Sequence, residues 1–175
     1  MKRFITIWAI GISTLTATAN AQDAKTNKAT LSFGAEAALP TGELLNISPA
    51  GLGGSIKAVF PVAGTIAITA SACYQYYLKK KYFDQILGGF HGIPLKGGIR
   101  IGIDKGFYIE PQLGYTSFGS TQNGDGGSEG AFTYAGNIGY LINNAVDISA
   151  RYESSRKEGS NLSHIGLRIA YSFNL

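Results

Sequence analysis

Residues 106–115 read Gly-Phe-Tyr-Ile-Glu-Pro-Gln-Leu-Gly-Tyr, and this stretch carries the pattern that decides the fold. Alternate positions from Phe107 to Tyr115 are apolar, with an aromatic ring at each end and other apolar residues between them. The intervening positions include Glu110 and Gln112, which are polar. Strict alternation of this kind is typical of a β-strand with one apolar and one polar face.

The same alternation recurs along the chain and predicts eight strands. They lie near residues 30–39, 51–60, 65–77, 92–103, 107–118, 131–141, 145–154 and 163–174. The predicted connections alternate between short turns and longer segments. The short turns are 61–64, 104–106 and 142–144, and the longer segments are 40–50, 78–91, 119–130 and 155–162. An up-and-down strand order puts long and short connections on opposite rims, which is the asymmetry of outer-membrane β-barrels.

Aromatic residues on the apolar faces fall into two belts. One belt comprises Phe33, Phe60, Phe107, Tyr140, Tyr171 and Phe173, and the other comprises Tyr74, Tyr76, Tyr115, Phe132, Tyr134 and Tyr152. Aromatic girdles on both sides of an aliphatic band match the two headgroup levels of a bilayer. The sequence therefore predicts an all-β fold, an eight-stranded antiparallel up-and-down transmembrane β-barrel.

The first 21 residues have the features of a cleaved signal peptide. Met1-Lys2-Arg3 is followed by an apolar run from Phe4 to Leu15 and by Ala19-Asn20-Ala21, which fits the small-x-small cleavage rule. We expect residues 22–29 to form a periplasmic tail and residues 30–175 to form a barrel in the outer membrane of a Gram-negative cell.

Charge does not indicate a nucleic-acid partner. The chain has 15 basic and 11 acidic residues, and removal of Lys2 and Arg3 leaves 15 − 2 = 13 basic residues, a net charge of +2.

Charged residues occupy the faces that would point into the barrel. The predicted charge network of the lumen comprises Glu36, Lys57, Arg100, Glu110, Asp147, Arg151 and Arg168, and the same faces carry Lys96 and Glu153. The interior of an eight-stranded barrel is just wide enough to be filled by side chains, and buried charges persist when they are paired. A three-residue loop at 104–106 would place Arg100 opposite Glu110, so we predict that these two residues form an ion pair.

A second group of cations falls in the predicted outer loops. It comprises Lys79, Lys80, Lys81, Arg156 and Lys157. Such cations would suit the phosphates of lipopolysaccharide, although an ordinary solvated charge run is the alternative.

Catalytic chemistry is not indicated. Ser163 and His164 are adjacent and would point to opposite faces of a strand, and His91 has no serine or acid fixed beside it. Cys73 is the lone cysteine and lies on a polar strand face, and two distant histidines lack metal-ligand spacing. We expect no enzymatic activity, no cofactor and no metal site.

Three segments carry a family resemblance: Ile93-Pro94-Leu95-Lys96-Gly97-Gly98-Ile99-Arg100, residues 106–115, and Ile165-Gly166-Leu167-Arg168-Ile169-Ala170-Tyr171-Ser172-Phe173. Through them the chain resembles the porin-like outer-membrane β-barrel domain family of Bacteroidetes type. The resemblance implies an outer-membrane location and, for most members, no settled activity. The partners we expect are membrane lipid, lipopolysaccharide and, during biogenesis, the barrel-assembly machinery, with a monomeric barrel as the final state.

Three functions remain open at this stage. The leading interpretation is a closed membrane barrel that acts as a structural or interaction module through its outer loops. The second is a small porin-like conductance channel. The third is a soluble periplasmic barrel that holds a small apolar ligand, with its apolar faces turned inward.

Overall fold

Eight long antiparallel strands close into a barrel in the computed structural model, which describes residues 28–78, 81–82, 85–86, 89–120, 129–157 and 159–175. The elements are β1 (Thr30–Gly42), α1 (Glu43–Ile47), β2 (Gly51–Ala63), β3 (Ile66–Tyr77), β4 (Lys81–Tyr82), β5 (Gln85–Ile86), β6 (Phe90–Asp104), β7 (Phe107–Ser120), β8 (Glu129–Ile142), β9 (Val146–Lys157) and β10 (Ser160–Asn174). The predicted signal peptide, 1–21, lies outside the described residues, as does most of the predicted tail.

The barrel closes because β1 pairs with both β2 and β10. Thr30 lies opposite Asn174 and Glu36 lies opposite Arg168, so the first and last barrel strands are in register along their length. Among the described residues, the short strands β4 and β5 pair with each other and form a separate two-stranded sheet. Closure leaves no barrel strand with an unpaired edge. The predicted all-β, eight-stranded up-and-down barrel is confirmed.

The two rims differ in their connections. We call the rim with residues 64–65, 105–106 and 143–145 the turn side, and the opposite rim, which carries α1, the loop side. Most strands extend beyond their predicted ends, and β9 and β10 are joined by residues 158–159 alone. The predicted long loop at 155–162 was therefore wrong. Its polar residues continue the strand pairing to Lys157 and Ser160, and Gly159 takes a positive φ of 92° that permits the tight turn.

The segment predicted as a loop at 40–50 also differs from expectation. β1 continues to Gly42, and the next five residues form α1. Leu44 of this helix is buried, and Glu43 accepts a hydrogen bond from the backbone N–H of Asn161 on β10 at 2.9 Å. These contacts hold the helix against the loop-side rim.

The turn between β6 and β7 contains two residues, Lys105 and Gly106, rather than the predicted three. A register shift between Gly102 and Asp104 compensates for the missing residue. As a result, the pairs farther from the turn, from Gly102–Tyr108 onward, keep the predicted register.

Alternate residues of each barrel strand face opposite sides of its wall. On β7, Ile109 and Leu113 are exposed on the outer surface, whereas Tyr108, Glu110 and Gln112 are buried inside. The larger exposed apolar residues form a continuous surface around the barrel rather than a single patch. Among the described residues, no helix has the length and hydrophobicity needed to cross a membrane.

The outward aromatic rings lie at the two predicted levels. At the turn side, Phe33 meets Phe173 at a centroid distance of 6.1 Å, and Phe107 meets Tyr140 at 4.5 Å. Near the loop side, Tyr115 of β7 lies opposite Phe132 of β8. Rings from strands far apart in sequence thus share a height on the barrel wall.

Candidate functional site

The inward faces of the strands assemble a chain of charged side chains across the lumen. The described part of this chain holds five cations, Lys57, Lys96, Arg100, Arg151 and Arg168, and four carboxylates, Glu36, Glu110, Asp147 and Glu153. All are largely buried. Cations and carboxylates alternate along the chain, so every carboxylate contacts two cations.

Glu110 of β7 organises the turn-side half. Its side chain is 0% exposed, and Lys57 Nζ lies 3.1 Å from its Oε1. Arg100 Nε donates to its Oε2 at 2.9 Å, and Thr69 Oγ1 donates to its Oε1 at 3.2 Å. The strand pairs Gly98–Gln112 and Ile101–Ile109 flank this position. Arg100 therefore lies opposite Glu110 on the neighbouring strand, as the sequence predicts. Gln112 Nε2 also donates to Glu110 Oε1 at 2.5 Å. The carboxylate therefore has two charged partners and two neutral donors, which offset the cost of burying it.

Arg100 connects Glu110 to Asp147. Its Nη2 donates to Asp147 Oδ2 at 3.1 Å, and its guanidinium lies 3.7 Å from the centroid of the Tyr108 ring. The Tyr108 hydroxyl donates to Asp147 Oδ1 at 2.6 Å. Gly139 lies directly opposite Tyr108 on β8, and a Cβ there would collide with the ring. The absence of a side chain at Gly139 therefore lets Tyr108 lie across the inner wall.

Arg168 links the two halves of the chain. Its Nη1 lies 3.6 Å from Asp147 Oδ2, and its Nε lies 3.6 Å from Glu36 Oε1. Its closer partners are neutral: Nε donates to Ser55 Oγ at 2.9 Å and Nη2 donates to Ser32 Oγ at 2.8 Å. These hydroxyls hold the guanidinium where it can attract both carboxylates.

The loop-side half is tightly paired. Arg151 Nη2 lies 2.6 Å from Glu36 Oε2, and Arg151 Nε lies 3.1 Å from Glu153 Oε2. Lys96 forms an ion pair with the same Glu153 oxygen. Gly166 makes room for the stem of Arg151, because a Cβ there would lie 3.0 Å from Arg151 Cγ. The seven predicted network residues are thus brought together, and Lys96 and Glu153 extend their chain.

Apolar side chains fill the loop-side end of the interior. Ala38, Leu44 and Tyr77 form a buried cluster, and three partly buried residues, Phe90, Phe118 and Leu162, pack against it. The rings of Tyr77 and Phe90 stack at 4.7 Å. Leu44 comes from α1, so this helix contributes to the closure of the mouth. We call these six residues the loop-side plug. The sequence did not reveal it, because its members are far apart in the chain and α1 was not predicted.

The two histidines have neighbours other than a catalytic serine. The His164 ring lies inside the barrel, where Nδ1 is 3.4 Å from the Tyr77 hydroxyl, whereas Ser163 Oγ donates to Ser154 Oγ at 3.0 Å. His91 stacks on Tyr74 with a centroid distance of 5.6 Å. Cys73 is buried, and its Sγ lies 3.5 Å from Glu36 Oε2, at hydrogen-bond distance for sulfur.

Of the cations predicted to contact lipopolysaccharide, Arg156 is exposed near the loop-side end of β9. Lys79 and Lys80 lie outside the described residues, and so do the side chains of Lys81 and Lys157. The structure therefore locates one side chain of this group.

No protein-family model and no curated protein matches the sequence. Several solved structures have a similar fold. Ail, the attachment invasion locus protein of Yersinia pestis, has a TM-score of 0.61 and 16% identity, covering 83% of this chain and 98% of that one. Neisserial surface protein A has a TM-score of 0.59 and 14% identity, covering 84% of this chain and 97% of that one. The N-terminal β-barrel domain of Pseudomonas aeruginosa OprF has a TM-score of 0.55 and 12% identity, covering 82% of this chain and 97% of that one. At these identities, the similarity concerns the fold.

Proposed function

We propose that this chain is an integral outer-membrane β-barrel with a closed lumen, and that it acts as a structural or interaction module through its loop-side surface. The observation that carries this proposal is the filled interior. The charged chain from Lys57 to Lys96 crosses the lumen, and the loop-side plug closes one end. Such an interior supports neither catalysis nor free passage of solutes.

The outer wall supports membrane placement. Its middle is aliphatic, with Leu113, Leu167 and Ile169 at least half exposed, and aromatic rings lie above and below. An apolar surface that encircles the molecule is far larger than the patches that soluble proteins leave in water. The soluble alternative would need Lys57 and Arg100 on the outside of the barrel, but both pair with the buried Glu110 inside it.

Fractionation of cells that express the full chain tests the location. We expect the protein in the outer-membrane fraction and a change in gel mobility between unboiled and boiled samples, because a closed barrel resists detergent. A soluble periplasmic protein with the same mobility in both samples would contradict the proposal.

Recordings in planar bilayers test the closed lumen. We expect the purified barrel to give no reproducible conductance steps, since the charged chain and the plug occupy the path. Steady single-channel steps would instead support the porin-like alternative.

Biogenesis follows from the same proposal. The predicted signal peptide, 1–21, would direct export, and the last strand, which ends Tyr171-Ser172-Phe173-Asn174, would be presented to the barrel-assembly machinery. We propose a monomer that belongs to the porin-like family of Bacteroidetes type, on the basis of the segments at 93–100, 106–115 and 165–173.

A second candidate function is recognition of anionic sugars such as those of lipopolysaccharide. Arg156 is exposed near the loop side, and Lys79, Lys80 and Lys81 lie in the segment between β3 and β6. One structure of Ail was determined in complex with the heparin analogue sucrose octasulfate.

Retention on immobilised heparin and binding to vesicles that contain lipopolysaccharide test this candidate. We expect the triple variant Lys79→Gln, Lys80→Gln, Lys81→Gln to bind both less tightly. The matched control is Lys105→Asn, which removes a cation on the turn side. Equal binding by the triple variant and the unaltered protein would contradict a role for these lysines.

A further inference from the structure

A cavity of about 470 Å³ lies at the turn side of the barrel. We call it the turn-side vestibule. It lies between the β2–β3 and β6–β7 turns, and its wall includes Pro61, Ala67, Arg100, Gly102, Tyr108 and Leu141. The volume is in the range of pockets that hold small molecules. Most of the wall is apolar.

Positive charge is in excess beside this vestibule. On the turn side of the charged chain, the cations Lys57, Arg100 and Arg168 face two carboxylates, Glu110 and Asp147. This group has a net charge of 3 − 2 = +1.

The rest of the chain is balanced. Glu36 pairs with Arg151 at 2.6 Å, much closer than its 3.6 Å contact with Arg168, and Glu153 pairs with both Arg151 and Lys96. Two cations thus face two carboxylates there. At the rim of the vestibule, Asp104 and Lys105 carry opposite charges. Arg168 lies 3.6 Å from both Glu36 and Asp147, and each of these carboxylates has a closer cation, so the surplus positive charge lies at Arg168, next to the other residues of the turn-side group.

A buried surplus charge is unfavourable unless an opposite charge reaches it. Arg100 is the one member of the described charged chain that lines the vestibule. Its side chain is 12% exposed, against 4% for Lys57 and 3% for Arg168. Of the charged chain, Arg100 is therefore the member that a ligand entering from the turn side would reach.

We propose that the turn-side vestibule binds an oxyanion, a carboxylate or phosphate group carried by a small molecule. Arg100 contacts the oxyanion directly, and Lys57 and Arg168 stabilise it through the surplus charge of the group. The apolar wall, with Ala67 and Leu141, favours a ligand whose remaining part is apolar. This binding site is additional to the closed lumen and the membrane location proposed above.

Calorimetric titration of the full barrel in a neutral detergent, at constant ionic strength, tests the proposal. The probes are benzoate, inorganic phosphate and uncharged benzyl alcohol. We expect an anion to bind at one site and benzyl alcohol to bind at least about tenfold more weakly, because a charge-assisted contact is absent. Tighter binding of benzoate identifies a carboxylated small molecule as the ligand class, and tighter binding of phosphate identifies a phosphorylated one. No saturable binding of either anion would overturn the proposal.

Two variants test whether the anion is bound in the vestibule. Gly102→Leu extends a side chain into the vestibule without altering a charge; a Cβ at this position would meet Thr65 at an ordinary 3.5 Å. Lys57→Gln removes the surplus charge from a residue that does not line the cavity. We expect each to weaken binding by about tenfold or more.

The matched control is Lys28→Gln, which removes an exposed cation at the turn side that does not line the vestibule. We expect its affinity to be unchanged. Loss of binding in Lys28→Gln with full binding in Lys57→Gln and Gly102→Leu would place the anion on the outer surface and overturn the proposal. If Lys57→Gln does not fold, Gly102→Leu decides, because Gly102 is outside the charged chain.

Discussion

The inner and outer walls of this barrel are built from alternate residues of the same strands, yet they are organised in different ways. On β7, Leu113 faces outward and needs only an apolar solvent. Glu110 faces inward and depends on Lys57, Arg100 and Thr69, which come from three other strands. A substitution on the inner wall therefore affects several residues together. A substitution on the outer wall affects its own position, and its effect depends on the depth of that position in the membrane.

The largest effect is expected from Glu110→Gln. The substitution leaves Lys57 and Arg100 without their shared carboxylate, and removal of one partner from a buried ion pair costs about 3–5 kcal/mol. The free energy of unfolding, from urea titrations in one lipid or detergent, measures this loss.

Glu43→Gln is the control for that substitution. Glu43 is an exposed carboxylate on α1 with a hydrogen bond to the Asn161 backbone, so we expect a loss of about 1 kcal/mol or less. Similar urea midpoints for Glu110→Gln and Glu43→Gln would show that the residues of the inner wall do not depend on one another.

A substitution on the outer wall should depend on depth. Leu167→Arg puts a charge near the middle of the apolar band, where Arg costs about 2–4 kcal/mol in a bilayer. Phe173→Arg lies at the turn-side belt and should cost about 0–1 kcal/mol. Unfolding in phospholipid vesicles measures both. An equal loss at the two positions would contradict the assigned levels of the outer wall.

The smallest predicted effect compares two glycines on β8. Gly139→Ala puts a methyl group against the Tyr108 ring, and overpacking of this kind costs about 1–3 kcal/mol. Gly136 faces outward, and a Cβ there meets nothing within 4 Å, so Gly136→Ala should be neutral or slightly stabilising. Thermal unfolding of the two variants measures the difference, and a loss at Gly136 alone would reverse the inside and outside assignment of β8.

Alternation in the sequence was enough to predict both walls and the pairing of neighbouring strands. Arg100 and Glu110 could be paired because one short turn separates β6 from β7. Lys57 could not be paired with Glu110, because β2 and β7 are not neighbours and their contact depends on the curvature of the closed barrel. Alternation with Ile109 is enough to put Tyr108 inside, but its hydrogen bond to Asp147 could not be predicted, because β7 and β9 are not neighbours.

Two features of the loop side escaped the sequence pattern for physical reasons. The five residues of α1 are too few to show helical periodicity, and their stability comes from the burial of Leu44. The residues before and after 158–159 are polar and resemble a loop, yet backbone pairing extends β9 and β10 through them. Polar composition near a rim is therefore a poor guide to where barrel strands end.

The reactivity of Cys73 tests the closed, inward-facing lumen most directly. It is the single cysteine of the chain, lies on the inner wall of β3 and is buried beside Glu36. The folded barrel in lipid vesicles is treated with a charged, water-soluble maleimide and, separately, with a lipophilic one, and each reaction is repeated in urea. The control is Leu113→Cys in a Cys73→Ser background, which places the thiol in the lipid.

We predict that Cys73 reacts with neither reagent until the barrel unfolds, whereas the control reacts with the lipophilic reagent. Labelling of folded Cys73 by the water-soluble reagent would show an open lumen, labelling by the lipophilic reagent alone would put Cys73 on the outer wall, and either result would contradict the account.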